Sequence, residues 1–281
     1  MRTSPVVAAT DGSEESLRAV EWAAREAMLR GAPLRIVSAP ELLLGMLVEG
    51  DILCESRDYA LARAAHCAAT AAPGLVISTD KLSGPIAEAV ARSGSGAAML
   101  VVGSRCMGAF AVMMHGSVKR YAATHASCPV VIVRGRRPVA HRMIGVGFGD
   151  VDTCTDALAF AFEEAAVHQA GLSVVHALHA PHFRAHPGST ASESKTAVSS
   201  RLATLLAGWQ DKYPGVRVIQ NVVHGHPGHV LAALSARTDL VVIGRYSADK
   251  TEMHDAGTVT NALLNHAHGP VVSVPWSPPL T

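Results

Sequence analysis

Two short stretches in the first half of the chain carry residue types that could hold a phosphorylated ligand. The first is Ala8-Ala9-Thr10-Asp11-Gly12-Ser13, where an apolar run ends in an acidic residue and turns through a glycine. A carboxylate there can accept hydrogen bonds from a ribose or a base, or it can brace the turn and cap the helix that follows. The second stretch runs from Val102-Gly103-Ser104-Arg105-Cys106-Met107-Gly108 to His115-Gly116-Ser117-Val118. Glycines let the backbone approach a phosphate closely, and a Gly-Ser pair that opens a helix offers unpaired N–H groups with a favourable dipole. The Ser117 hydroxyl either donates to a phosphate or caps the helix, and Arg105 stands nearby as a charge partner. This is not a Walker A loop, because no Gly-Lys-Ser/Thr follows at the required spacing.

These stretches have to be positioned by regular elements, and the chain alternates them. Pro5 to Thr10 reads as a strand, Glu15 to Arg30 as a helix that stops at Gly31, and Leu34 to Ala39 as a strand. Ser56 to Ala71 is helical, Leu75 to Thr79 a strand, and Pro85 to Arg92 a short helix opened by proline. Met99 to Val102, Ser117 to Ala126 and Val130 to Val133 complete the set as strand, helix and strand. Strands and helices in strict alternation, with the strands mostly apolar, predict a doubly wound α/β domain: a five-stranded parallel sheet with helices on both faces. Ligands of such sheets sit beyond the carboxyl ends of strands where the strand order reverses, and both stretches end there.

The chain also repeats itself. Ala98 to Gly103 is echoed by Asp239 to Gly244, and Gly116 to Val133 by Gly257 to Val274, both displaced by 141 residues. Glu26-Ala27 is echoed by Glu164-Ala165 at 138. A period of a whole domain means duplication rather than a solenoid. In the second copy the strands are expected near Met143 to Phe148, Ser173 to Ala177, Val216 to Val222, Leu240 to Ile243 and Val271 to Val274. The predicted domains are residues 1–136 and 141–281, joined by a linker at Gly135 to His141, with His179 to Lys195 as a mobile loop.

Taken together, these motifs resemble the universal stress protein family, whose nucleotide-binding members carry G-x2-G-x9-G-[S/T] after the fourth strand. Gly103 and Gly116-Ser117 have that spacing, Gly108-Ala109-Phe110 continues a similar loop, and Asp11-Gly12-Ser13 and Cys128-Pro129 are family-like. The resemblance covers essentially the whole chain as a tandem pair. It implies ATP, with or without Mg2+, held in a cleft. Asp11 and the backbone near Thr10 and Ala39 would face the base or ribose, and Gly103, Arg105, Gly108, Gly116, Ser117 and Val118 would cradle the phosphates. It further implies a part in survival under stress or dormancy, with at most slow ATP hydrolysis, although some members of the family bind no ATP. One departure stands out: Cys106 replaces the second glycine of the pattern. Where φ is positive this costs about 1 kcal/mol. Beside Arg105 the thiol is either a redox group or a passive substitution.

The second copy keeps the frame of the loop but not its interior. Gly244 and Gly257-Thr258 stand thirteen apart, whereas Arg245 to Asp249 has lost the glycines, and Gly149 aligns with Asp11. A weak second site at Gly244, Gly257 and Thr258, or none, is expected. Eleven of the fifteen histidines lie beyond residue 160, including His224, His226 and His229. No HExxH helix accompanies them, so surface imidazoles are the plainer alternative to a metal site.

Composition excludes several classes. The net charge is +1 and the longest basic run is Arg134-Gly135-Arg136-Arg137, so binding to nucleic acid is not expected. Five scattered cysteines without a CxxC pair argue against a disulfide framework and for a reducing compartment. No apolar run is long enough for a membrane helix, and charges arrive too early for a signal peptide, so a cytoplasmic protein is expected. Three functions stay open: an ATP-binding regulator; an interaction module acting as a homodimer, through intramolecular domain pairing or with a protein partner; and an enzyme, which no nucleophile motif supports.

Overall fold

The computed structural model describes residues 3–38, 50–104, 117–135, 140–149, 151–178, 195–245 and 254–276. The chain divides into two compact units, Met1–Arg136 and Arg137–Thr281. The first runs β1 (Val6–Ala9), α1 (Glu14–Arg30), β2 (Leu34–Ser38), α2 (Gly50–Ala71), β3 (Ile77–Lys81), α3 (Ile86–Ser93), β4 (Met99–Gly103), α4 (Ser117–His125) and β5 (Val130–Val133). The second runs β6 (Met143–Gly147), α5 (Val151–Val167), β7 (Gly171–Leu178), α6 (Lys195–Lys212), β8 (Val218–His224), α7 (Pro227–Leu234), β9 (Leu240–Arg245), α8 (His254–His266) and β10 (Val271–Pro275).

Within the first unit the strand order is β3-β2-β1-β4-β5, and within the second it is β8-β7-β6-β9-β10, the same order again. All the described pairings inside each unit are parallel. The central strands are buried on both faces, as Val6, Val7, Ala8, Leu100 and Val101 show with 0% exposure. Small side chains let the helices settle close to them: α1 buries Ala19, Val20, Ala23, Ala24 and Ala27, a helical stripe against the sheet. Its ends are well determined, with Ser13 as N-cap and Gly31 in the left-handed conformation at its C-terminus. Cys128 and Cys154 are buried among apolar side chains, as expected of small hydrophobic residues.

Two strands start later than the sequence suggests, for one reason in both units. Pro73-Gly74 and Pro214-Gly215 form turns, closed by the N–H of Leu75 on Ala72 O (3.2 Å) and of Val216 on Tyr213 O (3.0 Å). The turn consumes the first two residues assigned to each strand, so β3 and β8 begin at Ile77 and Val218. β3 lies at one end of the order and is largely exposed, and its Lys81 pairs with Asp58 of α2. Charged residues on an end strand discourage pairing with another chain. Helix α2 begins at Gly50, six residues earlier than predicted from Ser56. The expected linker overlaps residues 136–139 and the expected loop residues 179–194, both outside the described residues. Among the described residues, no helix is long and apolar enough to cross a membrane.

Candidate functional site

In the first unit the strand order reverses between β1 and β4, whose carboxyl ends lie side by side through the pairing Ala8↔Val101. Thr10 and Gly103 each follow this pair by two residues, so the first stretch and the described start of the second lie side by side at the crevice of the strand-order reversal.

The turn that leaves β1 is built by a chain of hydroxyls. Ser16 Oγ donates to Ser13 O at 2.9 Å. Its proton being committed there, Thr10 Oγ1 donates to Ser16 Oγ at 3.0 Å and accepts from the N–H of Gly12 at 3.1 Å. Asp11 Oδ1 accepts from both the N–H and the hydroxyl of Ser13, at 2.9 and 2.6 Å. Ser13 Oγ in turn accepts from the N–H of Ser16 and caps α1. Asp11 therefore braces the turn while its side chain stays exposed at the crevice, and the cap itself is Ser13. Gly12 sits at φ +80°, and a Cβ there would come 3.0 Å from the Ala60 methyl of α2, so this position calls for glycine twice over.

Gly103 has a structural task as well. A Cβ on it would meet the backbone of Glu15 and Ser16 at 3.2–3.3 Å, so the missing side chain lets the first turn of α1 seat on the end of β4. On the far side, Ser117 is the first residue of α4 and Val118 is half-buried in its first turn. The half-buried Lys119 reaches from that turn to Ser104 O at 3.0 Å. On the α2 side, Arg63 donates to Gly12 O at 3.2 Å and lies 5.8 Å from the Tyr59 ring, while Arg57 donates to Ser38 O and Leu82 O at 3.2 and 2.8 Å. Ala39, Arg105, Cys106, Gly108 and Gly116 lie outside the described residues. Spacing alone did not point to Ser16, Arg57, Arg63 or Lys119. A capping signature marks Ser13, but a lysine two residues past a Gly-Ser pair carries no recognisable signal.

Strand register gives the corresponding places in the second unit. Val6 and Ile144 occupy the same place, since each pairs with the first matching residues of the neighbouring strands. It follows that Thr10 is replaced by Phe148, Asp11 by Gly149, Ser38 by His176 and Ser104 by Arg245. The buried Phe148 repeats the strand-end bond of Thr10: its N–H donates to Val175 O at 2.9 Å, as that of Thr10 does to Val37 O. His176 Nδ1 donates to Phe148 O at 2.9 Å, and the two rings stand 6.0 Å apart. An aromatic pair replaces the hydroxyl network, and no carboxylate occupies the Asp11 position. Gly244 takes the place of Gly103, but β9 runs one residue further and ends at Arg245, whereas β4 ends at Gly103 itself. Gly257 and Thr258, however, lie inside α8, which begins at His254. The N–H of Thr258 therefore belongs to the helical ladder and is not presented at a helix start, as that of Ser117 is.

A model of the universal stress protein family matches residues 3–134 and again 141–275. The chain belongs to the universal stress protein family. A universal stress protein of Mycobacterium tuberculosis (strain H37Rv) is 31% identical over 301 residues, covering 95% of this chain and 93% of that one. The crystal structure of a universal stress protein from Archaeoglobus fulgidus matches 98% of this chain and 99% of its own, with a TM-score of 0.74 at 16% identity, which shows the shared fold. A shorter universal stress protein, crystallised in complex with cAMP, is 26% identical and covers 48% of this chain, with a TM-score of 0.38.

Proposed function

We propose that the first unit of this universal stress protein binds an adenine nucleotide, ATP in the first place, and that the chain acts as a regulator in stress or dormancy rather than as an enzyme. The observation that carries this is the meeting at one crevice of an exposed, conformationally fixed Asp11, the glycine end of β4 and the first turn of α4. The residues fit the ligand's chemistry. A carboxylate held by Ser13 is an acceptor for ribose hydroxyls, and a helix start at Ser117 favours phosphate through its unpaired N–H groups and dipole. Mg2+, if present, would accompany the phosphates. The described residues offer hydrogen-bond partners and charge, which suit holding a nucleotide better than turning it over, so hydrolysis is expected to be slow at most. Cysteines scattered without a CxxC pair suit a reducing, cytoplasmic setting.

The test uses Asp11→Asn, which keeps the oxygen that braces the turn and removes the charge. Calorimetric titration should show ATP binding to the wild type and an affinity about tenfold or more weaker in the variant, the usual size of a lost charge-assisted hydrogen bond. Equal affinities would remove Asp11 from the site. A second reading, association through a protein surface, draws on the altered crevice of the second unit. A chain that binds no nucleotide but forms dimers in light scattering would favour it.

A further inference from the structure

Among the groups around the crevice, Lys119 is the one cation among the described residues that joins the two segments of the expected phosphate cradle. It belongs to the first turn of α4, two residues after Ser117, and its Nζ lies 3.0 Å from the carbonyl of Ser104, the residue that follows Gly103. The ammonium thus bridges the end of β4 and the start of α4. It is half-buried, which weakens the screening of its charge by solvent. An ammonium has three N–H donors and is a compact phosphate-binding charge. Arg63 and Arg57 are also basic, but they attach to carbonyls on the α2 side, at Gly12, Ser38 and Leu82.

We infer that Lys119 binds the polyphosphate of the nucleotide and sets a preference for ATP over AMP and cyclic AMP. The inference rests on the nucleotide reading above and deepens it. The base is the same in all three ligands and the ribose is the same in AMP and ATP, whereas cyclic AMP ties its 3′ oxygen into the ring phosphate; anionic charge rises from cyclic AMP through AMP to ATP. A point charge between β4 and α4 therefore discriminates by phosphate count, not by base. The contact with Ser104 O holds the side chain across the gap, so little rotamer freedom is lost when phosphate arrives.

The experiment titrates the full chain with ATP, AMP and cyclic AMP, as wild type, Lys119→Met and Lys119→Arg, with thermal unfolding to confirm that each variant is folded. Lys119→Met should weaken ATP about tenfold, AMP and cyclic AMP by less than about threefold, and should flatten the dependence of ATP affinity on salt. Lys119→Arg, which keeps the charge, should restore most of the ATP preference. If Lys119→Met leaves the ratio of ATP to AMP affinity unchanged, Lys119 plays no part in phosphate selection, even though the nucleotide site stands. If the wild type binds none of the three, the nucleotide reading itself fails, and this inference with it.

Discussion

At the level of single residues, Thr10 and Ser16 show how a side chain can be central to a site without touching a ligand. Thr10 is 5% exposed and Ser16 is 4% exposed, and both hydroxyls are used within the turn. Their work is to fix the direction in which Asp11 leaves β1. Cys67 is a residue of a different kind. Its thiol on α2 donates to Glu21 Oε1 at 3.4 Å. Burial, then the hydrogen bond to Glu21 and the charge of that carboxylate, raise its pKa from 9.0 to about 11, with Arg25 and Arg63 offsetting part of the rise. The folded chain therefore holds this proton where the unfolded chain has begun to lose it. The stabilising effect is complete below the unfolded pKa and disappears as the pH rises through about 11. Since the thiolate is the reactive form, alkylation of Cys67 by iodoacetamide at pH 8, followed by mass spectrometry of its peptide, should be roughly tenfold or more slower in native protein than in urea. Equal rates would show that Glu21 and burial do not hold the thiol neutral.

At the level of elements, the seating of α1 on β4 decides the shape of the crevice. The backbone of Glu15 and Ser16 passes so close to Gly103 that a methyl group there would have to push the helix start away. Gly103→Ala is expected to cost about 1–3 kcal/mol, the range for inserting a methyl group into a packed contact, and to lower Tm by about 2–4 °C for each kcal/mol. Gly149 is the built-in comparison, because a Cβ there would meet only Cys154 Sγ, at an ordinary 3.9 Å. Gly149→Ala should leave Tm nearly unchanged in the same scan. A Gly103→Ala variant as stable as wild type would mean that α1 can shift freely and that Gly103 is kept for a ligand instead. The buried glutamates of the two units illustrate how duplication preserves an element's layout: Glu26 pairs with Arg30 at 2.6 Å, and Glu164 Oε2 lies 3.4 Å from His168 Nε2, one helical turn on in each.

At the level of the whole molecule, two units of one topology carry different crevices. The first has the Thr10 network and Asp11, and the second has Phe148, Gly149 and His176 at the same places, with Thr258 inside a helix. One adenine nucleotide per chain is therefore expected when freshly purified or nucleotide-saturated protein is denatured and the released nucleotide quantified by ion-exchange chromatography. A ratio near two would mean that the second crevice accepts nucleotide by contacts of its own.

The alternation of strands and helices, the duplication and the family membership were all legible in the sequence. Apolar runs bounded by Gly, Pro and Ser encode local structure, and a repeated motif needs no folded contact to be recognised. The glycines and Asp11 could be named as candidates for the same reason: residue type and spacing along the chain carry that information. Only the tertiary structure showed that Gly103 makes room for α1, that Asp11 also braces a turn capped by Ser13, and that Phe148 and His176 fill the places of Thr10 and Ser38. It also brought Lys119 to Ser104, fifteen residues away along the chain. Each of these depends on which atoms meet in space once the strands have paired. A glycine needed for a close approach of helix and strand is written with the same letter as a glycine needed for a phosphate, and packing alone tells them apart.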